Sequence, residues 1–160
     1  MSNFYPDRLV DLASFARIRP MVDQVEMHPY HQQAEAIQWM KKYGVQPEAW
    51  APFGEGRGGV FSDPALTDIG RRHGRTAAQV LLRGHLQRGV AVIPKSVHLE
   101  RMRENLDVFD FSLSEEEMES IAALDKKQSA FFSHQDPNMV EWFVEMVEQR
   151  RHRQGGSKAE

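Results

Sequence analysis

The sequence predicts an α/β fold built from parallel βαβ units, and three observations predict it. Short strand-like runs at residues 22–27, 45–51 and 90–93 alternate with segments of helical periodicity, a pattern that lays strands side by side under covering helices. The run Val90-Ala91-Val92-Ile93 is apolar throughout, as expected of a strand buried in a parallel sheet. Glycines close the helical segments, with Gly44, Gly74 and Gly89 each standing just past one.

The elements follow in order. Pro6 supports a helix start, and Leu9, Leu12 and Phe15/Ala16 recur at helical spacing. After Pro20, residues 22–27 read as a strand; Gln24 and Glu26 point to water in a sheet with one wet face, or to the lumen or mouth of a barrel. His28-Pro29-Tyr30-His31 ends that strand, and residues 32–43 form a helix with Ala36, Trp39, Met40 and Tyr43 as its apolar face. Pro47 cannot donate in a central strand, which demotes residues 45–51 as a strand candidate. Residues 52–59 are the most glycine-rich part of the chain, flexible and able to approach a ligand closely. Asp63-Pro64 opens a helix stopped by Gly74; Thr76 caps another that ends at Gly89. Ser114 and Glu117 form a capping box, and residues 137–151 make a last helix with Met139, Trp142/Phe143 and Met146 on one side.

Composition excludes several classes. At 160 residues the chain is long enough for one domain with a core, and 41% hydrophobic and 27% charged residues are ordinary for a globular protein. A net charge of -3 with pI near 6.2 gives no basic field for nucleic acid. No apolar run has the length of a membrane span, and the first residues lack the basic and apolar regions of a signal peptide, so the cytoplasm is the expected location. The absence of cysteine removes disulfides, thiol nucleophiles and thiolate metal sites together.

Chemistry concentrates in residues 92–106. A short strand leads there into a cationic turn, Lys95-Ser96, and then a helix on which Arg101, Glu104 and Asn105 share one face while Met102 and Leu106 turn to the core. Unpaired backbone N–H groups at that helix start suit an anion, and a carboxylate with a carboxamide one turn on suits the edge of a base. The same residues also read as a solvated, charged helix start with Asn105 as a cap. Trp50, at a strand end before the glycine-rich loop, is either a stacking surface or a core residue. His28 and His31 beside Glu26 lack a third ligand at metal-site spacing, and nothing in the spacing selects Glu26 with Glu48 as an acid–base pair. No serine sits in a nucleophile elbow.

Four blocks carry a family resemblance jointly: Ser2-Asn3-Phe4; Gln24-Val25-Glu26-Met27-His28-Pro29; Ala49-Trp50-Ala51-Pro52-Phe53-Gly54; and Ile93-Pro94-Lys95-Ser96 followed by Arg101 and Glu104-Asn105. In order and approximate spacing they resemble the second half of an aldo-keto reductase. Trp50, where many members have tyrosine, points to the bacterial branch that reduces diketogluconate and related small carbonyls. Asp136-Pro137 with Val140-Glu141-Trp142 resembles that branch's C-terminal segment. The resemblance implies a partial (β/α)8 TIM barrel, the later βα units plus C-terminal helices, over residues 1–149, with 150–160 a disordered tail. It implies an oxidoreductase that takes a small aldehyde or ketone to the alcohol by hydride transfer from NADP(H). By resemblance, Ser2, Asn3 and Gln24 bond the nicotinamide carboxamide and Trp50 stacks on its ring. Ala51, Pro52, Phe53, Gly54 and Gly56 lie along the pyrophosphate. Lys95, Ser96 and Arg101 hold the 2′-phosphate, Val97 and His98 line that turn, and Glu104 and Asn105 meet the adenine.

The departures carry as much as the matches. The family's aspartate, tyrosine, lysine and histidine tetrad lies on earlier strands and has no matching segment here, so no catalytic residue is assigned and the isolated chain is expected to be inactive. Met1 stands where the family has the apolar residue before Ser-Asn-Phe, so the chain resembles a product started or cut inside a longer reading frame; a complete barrel needs about 250 residues. Gly84 stands in a helix where relatives commonly carry tryptophan. A barrel fragment exposes strand edges and an unfilled lumen, which predicts self-association, pairing with a complementary N-terminal half, or poor stability. The alternative function is then a non-catalytic NADP(H)-binding or self-associating fragment.

Overall fold

The computed structural model describes residues 1–155, and these form two units, residues 1–130 and residues 131 onward. In the first unit, α1 (Pro6–Phe15), β1 (Val22–Glu26), α2 (Ala34–Lys42), β2 (Gln46–Trp50), α3 (Pro64–His73), α4 (Ala77–Gln87), β3 (Ala91–Val92), α5 (Leu99–Leu106) and α6 (Glu115–Ala122) follow in order, with an irregular 3-10 segment at Gly54–Ser62. The strands form one parallel sheet in the order β1-β2-β3. Ser2 bridges to Gln24 in parallel, so residues 1–3 occupy a fourth strand position beside β1.

Two apolar clusters hold this unit. Leu9, Val25, Met27, Ile37, Met40, Val45, Ala49 and Val90 pack α1 and α2 onto the sheet, while Val60, Leu66, Ile69, Val80, Leu81, Leu113 and Ile121 join α3, α4 and α6. Each fully buried Leu or Met contributes about 1.5–3 kcal/mol relative to exposure. The helix starts are those read from the sequence: Asp63 accepts from the Ala65 N–H, Thr76 forms a capping box with Gln79, and Ser114 forms one with Glu117.

Four expectations need correction. Pro47 lies in a strand after all, and in the central one. Gln46 donates its N–H towards β1, to Met21 O at 2.8 Å, so the Pro47 nitrogen faces the other side, where the β3 ladder begins only at Glu48↔Ala91. The apolar run 90–93 pairs over only two residues, and Ile93 is 49% exposed because β3 is itself the edge. Leu9 is buried as expected, but Leu12 and Phe15 are exposed and Ala13 is buried beside Leu9. Met102 and Leu106 do not face a core: α5 buries none of its residues.

In the second unit α7 runs Pro137–Gly155, with Asp136 Oδ1 accepting the Asn138 N–H at 3.0 Å and Phe143 packed on Phe132 and Trp142. Residues 156–160 of the expected tail lie outside the described residues. Among the described residues no helix is long and apolar enough to cross a membrane.

Candidate functional site

The C-terminal ends of the strands gather two groups of the expected residues. The first lies across β1 and β2. Asn3 adopts φ +56°, a left-handed conformation that asparagine tolerates, and its N–H donates to Gln24 O at 2.8 Å. Trp50, the last residue of β2, donates its indole N–H to Asn3 Oδ1 at 2.8 Å. Asn3 Nδ2 donates to Ser2 Oγ at 3.1 Å, and that hydroxyl donates to Gln24 O at 3.0 Å. Gln24 Nε2 donates to Glu48 Oε1 at 2.6 Å. Ser2, Asn3, Gln24 and Trp50 thus form one hydrogen-bonded patch, and Glu48 joins it.

The second group lines a cavity of about 580 Å³ between the 3-10 segment, the start of α4 and the turn into α5. Lys95, Ser96, Val97, His98, Arg101, Glu104 and Asn105 all line it, with Phe53 and Phe61 as aromatic walls. Ser96 Oγ accepts the His98 N–H at 3.1 Å, which shapes the turn, and the α5 N-terminus has no side-chain cap. Lys95 and Arg101 form no ion pair or hydrogen bond among the described residues. Two uncompensated cations beside uncapped helix N–H groups favour an anion. Glu104 accepts from the Thr76 hydroxyl, and Gln79 Nε2 donates to Glu104 O at 3.3 Å, so α4 holds α5 in place.

The glycine-rich stretch between them divides. Ala51 takes φ +48° and its carbonyl accepts the Gly54 N–H at 2.7 Å, turning the chain sharply after Trp50. Pro52 is buried, and its carbonyl takes a hydrogen bond from His85. Gly54 packs on the His28 ring and lines a smaller cavity of about 160 Å³ with Tyr30, Arg57 and Lys126, while Gly56 is exposed. Positive φ at Gly54, Gly56, Gly58 and Gly59 gives this segment its path.

Glu26 stands apart from Glu48 in its own enclosure. Burial pushes its carboxyl pKa up, but hydrogen bonds from His28, Ser129 and the Ala130 N–H outweigh that and hold it below the ordinary value. His31 is pushed down, chiefly by burial. Among the described residues no group of three His, Cys, Asp or Glu is placed to hold a metal. Burial, with Asp63 beside it, pushes Tyr30 up to about 12, and its hydroxyl donates to Asp63 Oδ2 at 3.0 Å. Sequence reasoning missed Phe61 and Thr76-Ala77-Ala78 as cavity walls. The Thr76 capping signal located the α4 start, yet only the fold brings that start to the 95–98 turn.

A family model described as the Aldo/keto reductase family matches residues 1–126. An aldo-keto reductase of Mycolicibacterium smegmatis is 46% identical over 125 residues, which cover 78% of this chain and 45% of that protein. A glyoxal reductase of Bacillus subtilis is 44% identical over 128 residues, covering 80% and 46%. Among solved structures, a Bombyx mori aldo-keto reductase in complex with NADP superposes with a TM-score of 0.77 at 32% identity, over 82% of this chain and 45% of that one. An aldo-keto reductase from a deep-sea metagenome library gives 0.81 at 36% identity, over 84% and 50%. The chain spans about half the length of the relatives it matches.

Proposed function

Because the chain belongs to the aldo/keto reductase family, we propose that it is the NADP(H)-binding half of an oxidoreductase that reduces small aldehydes or ketones, present without the catalytic tetrad. The cavity beside Lys95 and Arg101 carries this reading: two cations without partners among the described residues, a serine turn, apolar walls and the Glu104/Asn105 edge suit a phosphorylated adenosine. Lys95, Ser96 and Arg101 hold the 2′-phosphate, Glu104 and Asn105 meet the base, and Ser2, Asn3, Gln24 and Trp50 receive the nicotinamide. When bound, the reduced nicotinamide supplies a hydride. No described tyrosine serves as the proton donor in this reading, Tyr30 being committed to Asp63 and the Gly58 carbonyl.

Binding separates the phosphates. Lys95→Ala with Arg101→Ala weakens NADPH about tenfold or more and NADH far less, since only NADPH carries the 2′-phosphate. Equal losses overturn the assignment. Steady NADPH oxidation by the purified chain with a small aldehyde such as glyoxal overturns the inactive half of the proposal.

A second reading, a barrel fragment that associates with itself or with a complementary N-terminal half, rests on the exposed Leu99, Met102 and Leu106 stripe of α5 and on the open edge of β3. Both readings apply to one chain, because the polar face of α5 lines the cavity while its apolar face stands open.

A further inference from the structure

Glu48 has no role in the dinucleotide reading, yet its geometry sets what Gln24 can do. The two residues are register partners on β2 and β1, and Gln24 Nε2 donates to Glu48 Oε1 at 2.6 Å. A carboxylate accepts hydrogen bonds and does not donate them, whereas an amide has one end of each kind. Glu48 therefore takes the nitrogen of Gln24 and leaves its oxygen, which accepts nothing among the described residues, available to a ligand.

Trp50 acts on Asn3 in the opposite sense. An indole N–H only donates, so it claims Asn3 Oδ1 and leaves the Asn3 NH2 as the donor end, with one hydrogen directed to Ser2 Oγ and one remaining. Asn3 and Gln24 are neighbours across the bridge at the β1 edge. One amide presents an acceptor and the adjacent amide presents a donor. A primary carboxamide, with an NH2 and a carbonyl, matches that pair. A carboxylate, with two acceptor oxygens, does not.

We infer that Glu48 is a positioning residue that locks Gln24 as an acceptor, so that the site selects a pyridine carboxamide over the corresponding pyridine carboxylic acid. The inference rests on the dinucleotide reading above and extends it to the reactive end of the ligand. A pyridine carboxylate sets oxygen against Gln24 Oε1, and Glu48 prevents the amide from turning to meet it. The same carboxylate also lies close behind Gln24 and repels a second negative charge.

Calorimetric titration of the 160-residue chain tests this with three probes: NADP+, its nicotinic acid analogue, and adenosine 2′,5′-bisphosphate as a control for the phosphate end. The wild type binds NADP+ about tenfold or more tighter than the acid analogue, the scale set by leaving a polar group unpaired. Glu48→Gln, whose amide pairs with Gln24 in either sense, brings the two within about threefold and leaves the bisphosphate unchanged. Glu48→Leu, which removes the acceptor, gives the same loss of preference and covers the case in which the first variant fails to fold. An unaltered preference in both variants, an equal loss for both dinucleotides, or no preference in the wild type overturns the inference. A chain that binds the bisphosphate but neither dinucleotide overturns it alone; one that binds none of the three overturns the dinucleotide reading with it.

Discussion

Helix α4 buries Ala77, Gln79, Val80, Leu81, Leu82, Gly84 and His85, whereas α5, reached from it through β3, buries nothing. Both carry an apolar stripe at helical spacing and both contribute to the wall of the 580 Å³ cavity. The difference lies in their neighbours. The 3-10 segment, α3, β3 and α5 all pack on α4, while the outer stripe of α5, Leu99, Met102 and Leu106, is exposed. An amphipathic pattern therefore records that a face is suited to burial, not that a partner for it is present.

The largest expected effect separates the two helices directly. Leu82 is fully buried, so Leu82→Ala costs about 2–5 kcal/mol through lost contacts and an unfilled cavity. Leu106 is 72% exposed, so Leu106→Ala stays within about 0.5 kcal/mol. Urea unfolding of both variants measures the contrast, and equal costs would break it.

The pH dependence of α4 comes next. His85 is buried with Nδ1 unpartnered among the described residues, and burial, with Arg88 nearby, pushes its pKa from 6.5 down to about 3. The folded chain thus binds fewer protons than the unfolded one, and the stability it holds above about 6.5 is lost as pH falls towards about 3, by up to about 1.4 kcal/mol per unit. Asp23, fully buried in β1 with Oδ2 unpartnered, is raised by burial from 3.8 to about 6 and acts with the opposite sign. Its contribution is present below 3.8 and lost as pH rises through about 6. Thermal unfolding from pH 8 to pH 4 resolves the two: His85→Gln flattens the acid decline, and Asp23→Asn steepens it. A His85→Gln profile parallel to the wild type contradicts the assignment.

A smaller effect tests how α4 is packed. Gly84 sits mid-helix, and a Cβ there meets Ile121 Cδ1 at 3.6 Å and Leu113 Cδ1 at 3.7 Å, ordinary contact distances. Gly84→Ala therefore stabilises by about 1 kcal/mol through helix propensity. A rise in the urea midpoint checks it; a fall shows that α4 tolerates no added atom at that position.

Local grammar made much of this fold legible. The capping signals at Asp63, Thr76 and Ser114 and the glycines after α2, α3 and α4 marked boundaries, because a cap acts within one turn. The 95–105 residues were legible as one wall for the same reason, lying within a turn and two turns of helix. Pro47 misled because a proline is excluded from a strand only where its nitrogen faces a paired neighbour, and that depends on a register set by β3. Glu26 and Glu48 were indistinguishable in the sequence; the loop at Ser129 and Ala130, about a hundred positions away, encloses one, and Gln24 claims the other. Glu48 could have been found from its place two residues before Trp50 on the same strand face, opposite Gln24.

The smallest stability effect per residue is expected on α5, and it sharpens the contrast most. Leucine, methionine and glutamine have nearly equal helix propensities, so replacing Leu99, Met102 and Leu106 together by glutamine leaves the helix intact. Because these residues are 61%, 42% and 72% exposed, each change moves unfolding by no more than about 0.5 kcal/mol. Association responds instead. The stripe offers apolar surface that water covers poorly. Sedimentation velocity of the wild type then shows a coefficient that rises with concentration, and the triple variant shows one that does not. A loss of several kcal/mol in the variant places the stripe inside the chain's own core, and undiminished association moves the contact elsewhere; either result removes the distinction between α4 and α5.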